Sequence, residues 1–216
     1  MKNWFLVGLV ALLIVSCANE ENSTMTTQTP TENTTAANTQ TKEVEEATET
    51  KSYTLKKGST SMQFTGYKFA ANSPVSGTFD DIEFSFENTS GSLAEILTHA
   101  NALITTSKVN SSNAGRDGNF RSGFFSNFDS TITASILKVT PINATSGVAD
   151  VDITMNGKIV NSSFTYAVID KKLTANGLID LTGFGLINAL QALTAIAPHG
   201  GVTSSIVDLV IGMEFI

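Results

Sequence analysis

The chain has 216 residues, 41% of them hydrophobic and 15% charged, with a formal net charge of −7 and one cysteine. The acidic balance offers no basic patch for nucleic acid or an anionic bilayer. A lone cysteine rules out an internal disulfide, so the fold must be held by its core alone.

The N-terminus predicts an export signal. Lys2 supplies a positive start, and Trp4 to Val15 form an uncharged apolar run, shorter than the about 20 residues that a spanning helix needs. The run ends in Ile14-Val15-Ser16-Cys17, which resembles the lipobox of bacterial lipoproteins, whose cysteine is acylated and becomes the first mature residue. On that resemblance residues 1–17 are a lipoprotein signal and Cys17 is the lipid-attachment site. Stable anchoring by lipid takes two or more chains, so the expected location is the bacterial envelope, held on a membrane without a spanning helix. Glu20 and Glu21 resemble acidic surface-export signals, and Ala18 gives no inner-membrane retention signal, which together indicate the outer membrane.

Residues 18–52 contain no aromatic residue, and seven acids there stand against Lys42 and Lys51. Low hydrophobicity with excess charge cannot offset chain entropy, so the segment reads as a disordered tether, reaching about 30–35 Å as a flexible coil.

From Tyr53 to Ile216 the texture is β, and the length suits one domain. Asp81 to Glu87 alternates strictly, with Ile82, Phe84 and Phe86 on one side. Ser92-Leu93-Ala94-Glu95 fits a capping box, opening a short helix that carries Leu93, Ile96, Leu97 and, by expectation, His99. Asn156-Gly157 suits a type I′ two-residue turn. It sets Met155 opposite Lys158 and Ile153 opposite Val160, and the same face continues through Phe164, Tyr166 and Val168. A second Asn-Gly, Asn176-Gly177, predicts a bulge if its strand is continuous. Leu186, Leu190, Leu193 and Ala197 share a helical stripe that Pro198 ends. In the last strand Val207, Leu209, Ile211, Met213 and Phe215 face one way. The expected fold is all-β with one or two short helices, an antiparallel barrel of about eight strands, because such a sheet must close or pack on another.

Four motifs in order resemble the YceI-like family of secreted bacterial domains. Gly66-Tyr67-Lys68-Phe69 followed by Val75-Ser76-Gly77-Thr78-Phe79 looks like the family's opening. Arg116-Asp117-Gly118-Asn119-Phe120 with Phe124-Phe125 resembles its Arg-Asp loop and aromatic pair. Val151 to Lys158 is similar to the central hairpin, and Ser205 to Ile211 to the final strand. The resemblance implies a lipocalin-like barrel over 53–216 whose interior holds a long apolar molecule, polyisoprenoid lipids being the type ligand. One departure is Leu181-Thr182-Gly183-Phe184-Gly185, which keeps the family's Phe-Gly but lacks the arginine and aspartate that often precede it.

The residues themselves favour binding over catalysis. His99 and His199 are far apart, the carboxylates form no spaced ligand cluster for a metal, and no Gly-x-Ser-x-Gly elbow occurs. Asp80-Asp81 and Asp150 with Asp152 read as solvated outer-face residues. The candidate barrel lining is Phe64, Phe79, Phe84 and Phe86 from the first strands, then Phe120 and Phe124. The central hairpin adds Ile153, Val160, Phe164, Tyr166 and Val168, and the last strand adds Leu209, Ile211 and Met213. No cofactor or nucleic acid is expected; the expected partner is an isoprenoid or fatty acyl chain. The competing reading is a solid-packed structural or interaction module, with an exposed aromatic loop from Phe120 to Phe128 as its contact. An eight-stranded barrel is at the size where side chains either fill it or leave room for one ligand.

Overall fold

The computed structural model describes residues 51–68, 71–197, 201–202 and 204–216. Cys17, the signal segment, the tether up to residue 50, and Pro198 with His199 lie outside them. The elements in chain order are β1 (Tyr53–Thr54), β2 (Ser61–Lys68), β3 (Ser73–Phe79), β4 (Ile82–Ser85), β5 (Ser90–Gly91), α1 (Leu93–Leu97), β6 (Asn101–Thr105) and β7 (Val109–Asn110). Then come α2 (Ala114–Asn119), β8 (Thr131–Asn143), β9 (Ser146–Met155), β10 (Lys158–Ile169), β11 (Lys172–Asp180), α3 (Ile187–Ile196) and β12 (Ile206–Glu214).

Ten of the strand segments form one antiparallel sheet in the order β4-β6-β8-β9-β10-β11-β12-β2-β3-β7. The two ends of that order are joined by chain continuity. β3 runs into β4 through Asp80-Asp81, and β6 runs into β7 through a 3-10 turn at Thr106–Lys108. Along the seam, Phe79 pairs with Val109 and Ile82 with Ile104. Between them Asp80 N donates to Lys108 O (2.8 Å) and Thr105 N to Asp81 O (3.1 Å). β3–β4 and β6–β7 are thus single bent strands, and the ten segments resolve into a closed circuit of eight. Within this sheet, closure leaves only the short segments β4 and β7 paired on one side, so little edge remains for another chain to extend.

The sequence dictates this locally. β9 alternates strictly between half-buried and buried residues, with Gly147, Ala149, Val151, Ile153 and Met155 all buried on the inner face. Its turn is the expected one: Asn156 and Gly157 both have positive φ (54° and 67°), and Ile153 faces Val160. A second two-residue turn, Asp170-Lys171, uses positive φ without glycine. Outer-face polar residues pair across strands, Ser163 Oγ donating to Asp150 (2.8 Å) and Asn161 Nδ2 to Asp152 (3.0 Å).

Each end of the barrel is covered. At one end β1 pairs with β5, Tyr53 stacks on Phe215 (4.9 Å between ring centroids) and donates its hydroxyl to Ala144 O (3.1 Å), and α1 buries Leu93, Ile96 and Leu97. The capping box is present: Ser92 N donates to Glu95 Oε2 (2.7 Å) and Glu95 N to Ser92 Oγ (3.3 Å). The Ser92 N–H and the Ser92 hydroxyl, which donates to the same Glu95 Oε2 (2.9 Å), hold the Glu95 carboxyl below its ordinary range. At the other end lie α2, the π-helical turn Phe120–Phe124, the 3-10 turn Phe125–Asn127 and α3. The hairpin tip is tied there too, Asn156 Nδ2 donating to the carbonyl of the fully buried Phe184 (2.9 Å).

Three expectations are corrected. His99 is not on the helix: α1 ends at Leu97, and His99 sits beyond it at φ 59°, its Nδ1 3.2 Å from Glu87 Oε2. Asn176-Gly177 is not a bulge, for β11 pairs in unbroken register with both β10 and β12; the bulges fall instead in β8, at Ile136/Lys138 and Pro141/Asn143. The aromatic segment 120–128 is not an exposed loop. Phe124 is buried, and Phe120, Phe125 and Phe128 pack against the core, because four phenylalanines in nine residues lose too much by facing water.

Candidate functional site: an apolar cavity inside the barrel

Inside the circuit is a cavity of about 830 Å³, within the range of sites that take one small-molecule ligand. Its wall comes from the inner faces of β2, β3, β4, β6, β8, β9, β10, β11 and β12, and its roof from the aromatic segment and α3. Twelve of the fourteen sequence-selected candidates line it: Phe64, Phe79, Phe84, Phe86, Phe120, Phe124, Ile153, Phe164, Tyr166, Leu209, Ile211 and Met213. Val160 and Val168 do not. They lie on the same face of β10 but towards its two ends, where they are half-buried against the core.

The wall stays clear of the axis because large residues face small ones across the ladder. Along one row Phe64 pairs with Gly77 on one side and Leu209 on the other; Leu209 pairs with Gly177, Gly177 with Phe164, and Phe164 with Ala149. A neighbouring row sets Tyr166 between Gly147 and Ala175. The rings lie over the glycines. A Cβ on Gly77 would come 2.6 Å from Phe64 Cζ, one on Gly177 would come 2.5 Å from Phe164 Cδ1, and one on Gly147 would collide with the Tyr166 hydroxyl. Three aromatic rings are thereby laid against the wall, the alternation of large and small that small barrels use to shape an interior.

The roof is an aromatic chain continuous with the wall. Phe64 meets Phe79 (5.6 Å) and Phe120 (5.9 Å), Phe79 meets Phe125 (5.6 Å), and Phe124 touches Phe125 (5.1 Å) and Phe128 (5.3 Å). Gly123 lets α3 press on it, since a Cβ there would sit 3.0 Å from Leu193 Cα. α3 contributes Leu190, Leu193 and Ile196 to the cavity. Sequence reading found the stripe of this helix but had no means of placing it over the barrel mouth.

Polar groups are few and mostly gathered at the roofed end. Lys68, Asn113, Arg116, Asn119 and Ser204 are in the lining there, with Asn113 and Gly115 exposed, so the cavity communicates with solvent beside α2. Among the described lining residues there is no carboxylate. Tyr67 is fixed by donating its hydroxyl to Asp208, which raises its pKa. Deeper in, Tyr166 is 4% exposed and its hydroxyl has no partner among the described residues; burial pushes its pKa up. No group of three or more His, Cys, Asp or Glu side chains that could hold a metal occurs among the described residues.

The YceI-like domain model matches residues 53–215. The chain belongs to the YceI-like family. Solved structures with the same fold include a polyisoprenoid binding domain from Saccharophagus degradans, implicated in plant cell wall breakdown, at 16% identity and TM-score 0.50, covering 76% of this chain and 98% of that one. BcnA of Burkholderia cenocepacia is similar at 12% identity and TM-score 0.52, covering 74% and 98%. A comparison with curated proteins found none that matches. At these identities the neighbours establish the lipocalin-type fold of this YceI-like domain, and its chemistry must be read from its own lining.

Proposed function

We propose that the barrel binds a single linear apolar molecule, an isoprenoid or fatty acyl chain, and carries or stores it out of contact with water. The observation that carries this reading is the 830 Å³ apolar cavity in a domain small enough to have been packed solid. A solid interaction module would have no reason to lay its rings over glycines. Burying ten methylenes is worth roughly 8 kcal/mol before ordering costs, at about 0.8 kcal/mol each, so affinity needs no further apparatus. The polyisoprenoid binding of the Saccharophagus degradans domain supports the same ligand class.

The N-terminal pattern ending in Cys17 supports lipid anchoring in a bacterial envelope, and Ala18, Glu20 and Glu21 support the outer membrane. The acidic, apolar-poor stretch that follows supports a tether that lets the barrel reach away from its anchor.

The test is extraction of the purified protein under denaturing conditions with mass spectrometry of the released lipid, followed by titration of the emptied protein with farnesol and 1-dodecanol. Co-purified chain lipid, or saturable binding of one equivalent, is expected. Protein that is always empty and binds neither compound would overturn the proposal.

A further inference from the structure

The three most exposed large apolar side chains among the described residues are Ile169 (72%), Ile142 and Ile216 (70% each). Isolated exposed isoleucines are ordinary, but the fold brings these three to one end of the barrel, the end closed by α1 and the Tyr53–Phe215 stack and opposite the roof. Ile169 ends β10 before the Asp170-Lys171 turn, and Ile142 stands just before the turn that pairs Asn143 with Ser146. Val168 N donates to Thr145 O (2.8 Å), so the two turns are neighbours. Phe215 N donates to Lys171 O (2.8 Å) and Ile216 N to Thr54 O (2.9 Å), which sets Ile216 beside them. Grouped in this way, exposed apolar side chains mark an interaction surface.

The charge at this end has the opposite sign to that of the domain. Lys51, Lys56, Lys57, Lys171 and Lys172, all exposed, lie on the segments around the isoleucines against Asp170 and Glu214, whereas residues 53–216 carry 13 acids against 10 bases. Glu214 is shared between Lys56 (2.7 Å) and Lys172 (3.8 Å), and Ile169 pairs with Lys172 across the strands. On the α1 side, Glu95 is bound in the capping box and Glu87 lies 3.2 Å from His99. The net acidity of the chain hides this cluster, because lysines from the first and last thirds of the domain meet only in the fold.

We infer that this end of the barrel is a docking surface for an anionic bilayer, its isoleucines entering the headgroup layer and its lysines meeting lipid phosphates. Lysine stems cover apolar surface while their ammonium groups reach anionic headgroups, so one occupant satisfies both kinds of side chain. Two other occupants fit less well. The acidic stretch Glu43 to Glu49 matches the lysines in sign, but Val44 is its one large apolar residue against three isoleucines. A second copy related by two-fold symmetry would set lysines against lysines. The chain leading to the proposed anchor at Cys17 joins the domain at this end, through Lys51 and Tyr53, and a tethered patch needs little affinity of its own. Docked in this way, the roof and the cavity opening beside α2 face the aqueous side.

The experiment uses the full-length protein with Trp4→Phe, which removes its one tryptophan, and a single indole introduced by Ile169→Trp or, as the control, by Leu178→Trp. Leu178 is also exposed but lies six residues beyond Lys172 along β11, about 20 Å away at about 3.3 Å per residue. Vesicles of phosphatidylcholine, with or without phosphatidylglycerol, carry brominated acyl chains that quench an indole reaching them. The Ile169→Trp indole is expected to lose most of its emission when phosphatidylglycerol is present and little without it, and to recover in high salt. The Leu178→Trp indole is expected to stay bright. Lys171→Gln with Lys172→Gln should cut the quenching at position 169 severalfold, with circular dichroism showing the fold intact, and Ile216→Trp gives a second probe of the same end. Flotation with the vesicles reports the anchor separately, so a chain that is anchored can still fail this test. Equal quenching at positions 169 and 178, quenching indifferent to phosphatidylglycerol, or none at either position would overturn the inference. So would an Ile169→Trp emission that shifts with protein concentration in the absence of vesicles, the mark of a second copy on the patch.

Discussion

Gly177 shows most directly how one residue sets the capacity of this YceI-like barrel. Phe164 lies over it, and an added methyl would meet the ring at 2.5 Å, so the ring must tip toward the axis. Gly177→Ala is expected to cost about 1–3 kcal/mol, as overpacking generally does, and to weaken binding of a long chain more than of a short one; urea denaturation and titration with acyl chains of increasing length check both. Tyr166 carries the opposite kind of anomaly, a buried hydroxyl with no partner among the described residues. Leaving such a group unsatisfied costs about 1–3 kcal/mol, so Tyr166→Phe is expected to be neutral or stabilising at pH 7. The pH dependence has a definite sign. Burial raises the folded pKa of Tyr166 above its ordinary 10.0, so the neutral phenol is favoured by folding and stability is lost as pH rises past 10. The phenylalanine variant should lose less on alkaline denaturation than the native protein. Tyr166 was legible in the sequence as lining but its unpartnered hydroxyl was not, and Gly177 read as a bulge because Asn-Gly is a turn signal, whereas β11 pairs through it without a break on both sides.

Elements chosen by local chemistry came out as their sequences dictate. The capping box at Ser92 and Glu95, the type I′ turn at Asn156-Gly157 and the alternation of β9 depend on residues within a few positions of each other. Ser92→Ala is expected to cost about 1 kcal/mol at neutral pH, the usual worth of an N-cap, measured by urea denaturation. The Glu95 side of the box is lost on acidification. Its folded pKa is depressed, so its contribution is present above the unfolded carboxylate range and disappears as pH falls through the folded value, and the difference between native and Ser92→Ala protein should narrow there. The aromatic segment was less legible. Phe120, Phe124 and Phe128 recur every four residues, a spacing that suits a helix, yet the segment reads as an exposed loop. Their path through α-, π- and 3-10-helical turns is set by the barrel end they cover and by α3 pressing on Gly123.

At the scale of the whole domain, eight strands close on themselves by bending two of them, with a 3-10 turn at Thr106–Lys108 taking up the mismatch. The same closure turns an amphipathic sheet into a container, since every inner face then looks at another. The amino-acid sequence alone determined the β texture, the central hairpin register, both main helices, the family resemblance and twelve of the residues that line the cavity, because each rests on alternation or on a short motif. Only the tertiary structure decided that the interior is hollow, that Val160 and Val168 fall outside it, and that Lys68 and Arg116 share its mouth. Those outcomes depend on which residues meet across strands and at a barrel rim, distances that period and composition do not encode: a phenylalanine facing inward fills the lumen or lines it according to whether its cross-strand neighbour is a glycine.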